Sequence, residues 1–507
     1  MELTMSIPFN GKEFKFVQPD GTALQVRGWG DQHHAVFETL DGYTVVQDPT
    51  TGYFEYAAIS SDQEDLQPTG ARPRSTNPLP LGLARGLRIR REAAKAKAME
   101  GVGLPPGSSR WETRRRQFKR ALREAAAAPG LAPAPPRRET VGNFVGLCLL
   151  VQFPDVPGTI TREQVEDYCN MQGYSGFGNN GSVHDYFQDI SNNRLKYKNI
   201  VTPYYTAKHP LGYYTNESVD MPVRARELIK EALDHFRAQG FDFSGLTCDD
   251  QNYVYATNVF YAGTRVNNWA KGLWPHSYHL LVPYELGQGK RAFDYQMTDM
   301  TDELSLGTFC HENGHMICDF PDLYDYGYES AGVGDFCLMC AGSNANPKNP
   351  PHVNAYLKYR AGWARSITKL ISGPATAVAG KNEFLIHRKS ATEYFIIENR
   401  SKDGRDQALP GSGLAIWHVD ELGDNQNEQM SAELHYECSL VQADGRHDLE
   451  ADPYNSGDPT DLFSKDVNDH LGNETTPSSK WWDGTPSMLD INAISDTGPV
   501  MNFNVTV

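Results

Sequence analysis

Apolar and polar positions change rhythm along the chain. Between Phe9 and Ala58, short apolar runs (Phe14-Lys15-Phe16-Val17, Ala35-Val36-Phe37, Thr44-Val45-Val46 and Tyr53-Phe54-Glu55-Tyr56) are separated by the turn pairs Asp20-Gly21, Asp41-Gly42 and Thr51-Gly52. Such runs predict β-hairpins, because Gly supplies the positive φ that tight turns need. From Phe144 to Val151 the sequence FVGLCLLV is apolar without a break and is bounded by Pro154 and Gly158. That pattern predicts a strand buried on both faces. Helical spacing follows at Arg162 to Asn170, Val183 to Ser191 and Pro222 to Gln239, with further strands at Tyr253 to Tyr261 and Tyr278 to Pro283. Beyond about Ile367 the pattern becomes strand-like at Glu383 to His387, Glu393 to Glu398, Leu414 to Val419, Cys438 to Gln442 and Met501 to Val507. Loops rich in Gly, Asp and Asn separate these strands, which predicts a β-sandwich-like C-terminal domain.

One stretch has neither rhythm. From Arg85 to Glu139 there are fifteen Lys and Arg against five acids, many Ala, and breaks at Pro105, Pro106, Pro129, Pro133, Pro135 and Pro136. Such a composition cannot bury a core of its own, so it reads as a basic linker with one or two solvated helical turns. A sharper reading is a protease-sensitive hinge that joins an inhibitory N-terminal segment to an enzyme. A length of 507 residues suits about three domains, since single cores stop growing near 250–300 residues. The expected division is a small β-rich domain over 1–84, the linker over 85–139, an α+β domain over 140–366 and the β-rich domain over 367–507.

Composition narrows the function. The formal charge of −17 divides into about +10 in the linker and −27 elsewhere, which argues against nucleic acid as the main partner. No apolar stretch reaches the eighteen residues of a membrane span, and the chain holds 25 Tyr, 22 Phe and 8 Trp to bury. No apolar h-region occurs within Met1 to Asp20, so no secretory signal is read there. Eight Cys in 507 residues are too sparse for a disulfide framework.

The chemistry concentrates in Leu306 to Asp322, LGTFCHENGHMICDFPD. His311-Glu312-Asn313-Gly314-His315 is an HExxH motif: on a helix, His311 and His315 share one face and can reach one metal ion. Glu312 beside them can take a proton from a metal-bound water. The apolar turn of Leu306, Phe309 and Cys310 suits a buried active-site helix better than a solvated one. A catalytic zinc needs a third protein ligand, for which Asp319, Asp322 and Glu329 are candidates. Pro321 biases Phe320 away from the helical region, so the chain can turn back there and bring in Asp322, the favoured choice. Glu329 would suit a gluzincin-like arrangement. Downstream, Met339 in a loop of small residues reads first as a core gap-filler, and after an HExxH as the floor beneath a zinc. A rival reading is a structural zinc on Cys310, Cys318, Cys337 and Cys340, which spacing disfavours: if both are helical, Cys310 and Cys318 stand about 12 Å apart.

HENGH through PDLYDYG, the GVGDFCLM loop, and Pro351-His352 to Gly362-Trp363 resemble the immune inhibitor A-like metallopeptidases. The QPDGT, VRGWGD, DGYTVV, GLAIWHVDE, VQADG and WWDG segments extend the likeness over most of the chain. The resemblance implies a secreted zinc endopeptidase with a metzincin-like catalytic domain, an N-terminal propeptide and a β-rich C-terminal region. It implies His311 and His315 as ligands, Glu312 as the base and Met339 at a Met-turn. Two departures bear on the third ligand: Cys318 stands where the family has Gly, and the Asp of the Pro-Asp pair comes one residue late. No Cys precedes Cys148, which excludes latency through a propeptide thiolate.

The expected reaction is hydrolysis of protein or peptide substrates by a zinc-activated water, with Glu312 as general base. Tyr278, His276, His279 and His352 are candidate oxyanion donors. Calcium is a second candidate cofactor, on the acidic loops that hold Asp420, Glu421, Asp444, Asp448, Asp452, Asn455, Asp458 and Asp461. The competing class is a catalytically inactive scaffold that binds or adheres through its β-rich end.

Overall fold

The structure is a computed structural model that describes residues 8–31, 34–102, 109–127, 137–219, 221–266, 268–269, 271–327, 329–426 and 430–507. Six N-terminal strands, Phe9–Val17, Ala23–Gly30, Ala35–Thr39, Thr44–Gln47, Phe54–Ile59 and Leu66–Pro68, pair in chain order as an antiparallel meander. The turn after Asp41 closes because Gly42 takes φ 91°. Phe16, Val26, Phe37, Val45, Phe54 and Tyr56 fill the core of this sheet.

The middle of the chain builds a five-stranded sheet in the order His276–Gly287, Lys290–Met300, Thr257–Ala262, Gly142–Gln152 and Leu195–Thr206. Its pairings are parallel except at the edge, where His276–Gly287 runs antiparallel to Lys290–Met300. The unbroken apolar run is explained by burial on both sides. Leu147, Leu149 and Val151 share a core with helix Met221–Ala238, while Cys148 and Leu150 share one with helices Arg162–Asn170, Val183–Ile190 and Leu306–Cys318. Thr161 with Gln164, and Ser182 with Asp185, form capping boxes that start two of these helices.

Towards the C-terminus, Ser366–Lys369, Glu383–Arg388, Glu393–Arg400, Gly413–Asp420 and Cys438–Leu440 form a second five-stranded sheet. Gly373–Val378, Val500–Thr506 and Asp490–Asn492 form a smaller one. In strand Glu393–Arg400, Phe395 and Ile397 pack with Met501 and Phe503, whereas Tyr394 and Ile396 join the core that holds the motif helix. The larger sheet is therefore covered on both faces. The whole is a mixed α and β architecture with several separate sheets. Among the described residues, no helix is long and apolar enough to cross a membrane.

The basic stretch departs from the linker expectation. It contains helix Arg91–Val102 and the eighteen-residue helix Arg110–Ala127, in which Trp111 is only 2% exposed and Leu122 is buried. Pro105, Pro106, Pro129, Pro133, Pro135 and Pro136 lie outside the described residues. The solvated reading fails because the basic side chains of this stretch find their counter-charges elsewhere in the chain. Arg115 and Lys119 pair with Glu437, Arg110 and Arg114 with Asp249, Arg114 and Arg138 with Asp319, and Arg137 with Glu421. Charges tolerate burial when they are paired.

Candidate metal centre

The motif helix Leu306–Cys318 is buried along its length. Its first turn is held by Pro347, whose carbonyl accepts both the Leu306 and Gly307 N–H groups at 2.9 Å. Gly307 is required there, since a Cβ would come within 2.1 Å of the Ser343 carbonyl oxygen. Asn313, inside the motif, ties the helix to the central sheet. Its amide donates to Asn258 Oδ1 at 2.9 Å, and its Oδ1 accepts from the Tyr197 hydroxyl at 2.6 Å. This network fixes the rotation of the helix and hence the direction of both histidines.

The helix ends on Asp319, whose backbone is left-handed at φ 56°. The Asp319 N–H reaches His315 O at 3.0 Å and the Phe320 N–H reaches Gly314 O at 3.3 Å, so the chain reverses sharply. Asp tolerates this conformation better than most residues with a Cβ. The turn therefore falls at Asp319, one residue after Cys318, and carries Asp322 along with it.

The reversal places the Asp322 carboxylate against both imidazoles. Asp322 Oδ1 lies 3.0 Å from His311 Nε2 and 3.3 Å from His315 Nε2, and the two Nε2 atoms are 3.1 Å apart. His311 Nδ1 is 2.9 Å from Leu338 O, and His315 Nδ1 is 2.6 Å from Phe320 O. A carbonyl only accepts, so each Nδ1 carries the proton and each Nε2 presents a lone pair. Asp322 Oδ1 and Glu312 Oε2 are buried without a hydrogen-bond partner. Two lone pairs and a carboxylate oxygen converging in a buried space repel one another unless a cation lies between them. The group His311, His315 and Asp322 can therefore hold a metal ion.

The surroundings tune the group. The Tyr326 hydroxyl donates to Asp322 Oδ2 at 2.5 Å. Burial opposes ionisation of Asp322, and positive charge on the His315 and His311 side is what holds its carboxyl well below the usual range. Burial pushes Glu312 up to about 8, helped by the Asp322 charge and opposed by His311 and Ser277. Met339 packs beneath the motif: a Cβ on Gly314 would fall 2.8 Å from its sulfur. The Leu323 N–H donates to Met339 O at 2.7 Å and joins the Met loop to the segment that bears Asp322.

Of the other residues expected at the site, Glu329 lies apart, paired with Lys95 at 2.9 Å, and Asp319 is held by Arg114 and Arg138. His276 is engaged by Trp274 O and the Tyr295 hydroxyl, and His352 lines a separate cavity. Among the described residues, Cys310, Cys318, Cys337 and Cys340 form no metal-holding group. Asp444, Asp448 and Asp458 do come together, with Arg446 reaching Asp458 at 3.2 Å and Asp444 at 3.4 Å. Sequence reasoning missed Tyr326, Asn313 and Trp111. Trp111 lies against the His315 ring, and the side chains of His311, Glu312, His315 and Asp322 are at most 2% exposed. A signal for Trp111 existed in the one aromatic residue set between Arg110 and Glu112 at the start of a basic helix.

Searched against protein-family models and against curated proteins, the chain matches none.

Proposed function

We propose that the protein is a zinc-dependent endopeptidase of metzincin-like fold, produced in a latent form and secreted. The observation that carries this reading is the convergence of His311 Nε2, His315 Nε2 and the unpartnered Asp322 Oδ1 in a buried space beside Glu312. Two imidazoles and one carboxylate leave a fourth position open, as catalytic zinc sites do. A mixed sheet with one antiparallel edge strand, a left-handed turn after the motif helix and a methionine beneath it support the metzincin-like part.

His311, His315 and Asp322 would hold the zinc, whose Lewis acidity would bring the pKa of water toward about 7 and polarise the scissile carbonyl. The chain's own groups do the rest. Glu312 accepts the proton of the attacking water and passes it to the leaving amine. Tyr326 orients Asp322, and the carbonyls of Leu338 and Phe320 keep both imidazoles in the ligating tautomer. The burial of the whole group under Trp111 supports latency, because no peptide reaches Glu312 while helix Arg110–Ala127 is in place. Export rests on the family resemblance.

The test uses the full chain, intact and after limited proteolysis between residues 85 and 139. Casein is the substrate, and metal content is measured alongside. Stoichiometric zinc is expected, with hydrolysis by the nicked form that is abolished by a chelator. Glu312→Gln is expected to keep zinc and lose turnover. Hydrolysis that survives complete zinc removal overturns the proposal.

A further inference from the structure

The basic helix Arg110–Ala127 sits on a set of acids that belong to the body beneath it. Arg114, Arg115 and Lys119 follow Trp111 by three, four and eight residues, so all four share one helix face. Trp111 stands on the His315 ring, which lays this face along the metal group.

The acids around the basic stretch are of two kinds. Asp319 is paired with Arg114 and with Arg138, and Glu421 with Arg137 and with Arg360. Each therefore keeps a cation when the helix leaves. Asp249 and Glu437 do not. Among the described residues, Asp249 pairs with Arg110 and Arg114, and Glu437 with Arg115 and Lys119, all four on the helix. The two acidic side chains are 2% and 1% exposed.

The body also aims each carboxylate. Asp249 Oδ1 accepts the Gln251 and Tyr253 N–H groups at 3.0 Å each, which leaves Oδ2 for the helix. Arg110 fits there as a guanidinium rather than as a plain charge. Its Nη2 reaches Asp249 Oδ2 at 2.8 Å and Gln251 Oε1 at 2.7 Å, and its guanidinium carbon stands 4.2 Å from the Tyr253 ring centre. Carboxylate, amide oxygen and aromatic face together suit a planar group with five donors. Glu437 accepts Arg115 through both oxygens and takes Lys119 at 2.8 Å, with Oε1 steadied by the Tyr356 hydroxyl.

We propose that Asp249 and Glu437 are subsites for arginine side chains, which makes peptides with Arg close to the scissile bond the preferred substrates. Both subsites depend on the latent-peptidase reading, because the helix must leave before a substrate takes its place. Arg110 and Arg115 of the cover occupy the positions that substrate arginines take afterwards. A buried carboxylate stripped of its cation is unfavourable, so a peptide that restores the pairing gains over one that does not. The Asp249 subsite favours Arg over Lys, since an ammonium lacks the flat fork that Gln251 and Tyr253 receive.

The test uses the full chain after limited proteolysis between residues 85 and 139, with Glu312→Gln so that bound peptides survive. Labelled peptides that differ only in holding arginine, citrulline or glutamate at one position, moved along the sequence, are titrated by fluorescence anisotropy. Citrulline keeps the shape of arginine and removes its charge. At one or more positions the arginine peptide should bind at least about tenfold more tightly than the citrulline one, and glutamate more weakly still. Glu437→Gln and Asp249→Asn, each shown to fold by circular dichroism, should each weaken arginine binding by about tenfold. Equal affinity for arginine and citrulline at every position overturns the proposal, as does arginine binding unchanged in both folded variants. Casein hydrolysis by the nicked chain with Glu312 intact reports on the peptidase reading alone, so the two can fail separately.

Discussion

The indole of Trp111 lies nearly parallel to the imidazole of His315, with ring centroids 4.6 Å apart and planes 22° from coplanar. A residue from the basic stretch thus covers one member of the metal group. The first turn of its helix is fixed by Asp294, whose carboxylate accepts the Arg110 N–H at 2.9 Å and the Trp111 N–H at 3.2 Å.

Trp111→Ala should weaken this cover. Losing a buried Trp costs about 3–5 kcal/mol, and each 1.4 kcal/mol that falls on helix docking shifts its equilibrium about tenfold. Hydrolysis of casein by the uncut chain should rise by about 10–100-fold. Unchanged latency in the variant would assign the cover to the rest of the helix.

Further along the same helix, Arg115 and Lys119 share the buried Glu437. Removing an acid from such a cluster leaves buried cations unpaired, at a cost of about 3–5 kcal/mol. Glu437→Gln should therefore speed native-state trypsin cleavage within Arg110–Ala127 by more than about tenfold. The exposed Arg120–Glu124 pair, at 3.7 Å, is the control, and its loss should change stability by under about 0.5 kcal/mol.

A pH dependence follows from Asp294. Burial raises its carboxyl from 3.8 to about 7, against the Arg110 and Trp111 N–H groups and the Arg114 charge that pull it down. The folded state therefore holds this proton more tightly than the unfolded chain does. The stabilising contribution is complete below the unfolded value of 3.8 and is lost as pH rises through about 7. Hydrogen exchange of helix Arg110–Ala127 should show protection falling between pH 4 and 8, and Asp294→Asn should flatten the slope. A wild-type profile as flat as that of the variant would count against the buried-proton account.

Metal content separates the carboxylates. Asp322→Ala should lose stoichiometric zinc while Glu329→Ala retains it. Tyr326→Phe, which leaves Asp322 Oδ2 without its donor, should lower metal affinity by about 10–100-fold. Competition with a fluorescent chelator measures all three.

The motif helix, the doubly buried strand at Phe144 to Val151 and the hairpins before Ala58 were legible because apolar period and turn residues are local signals. Strands Leu195–Thr206 and Lys290–Met300 were not. The first carries Lys196, Lys198 and Asn199 and has Pro203 within it. The second buries Asp294 and Gln296, polar groups satisfied by partners that sequence order conceals. The basic helix failed for the same reason: Arg115 finds Glu437 at a separation of 322 residues. Asp322 could be favoured from Pro321, but the left-handed Asp319 that delivers it shows only in the backbone. Asn313 occupies a variable place in HExxH, and nothing local marks it as the anchor to Asn258.

Asp319 is gripped from two sides of one chain segment, by Arg114 at 2.7 Å and by Arg138 at 2.6 Å. A single break between Ala127 and Arg137 would divide that grip between two molecules. The outgoing piece would carry Arg114 and Trp111 away from the motif helix, while Arg138 would remain covalently joined to the segment that bears that helix. The carboxylate at the helix end would then keep one counter-ion. The turn that delivers Asp322 would survive the departure of its cover, held by the first residues of the new chain.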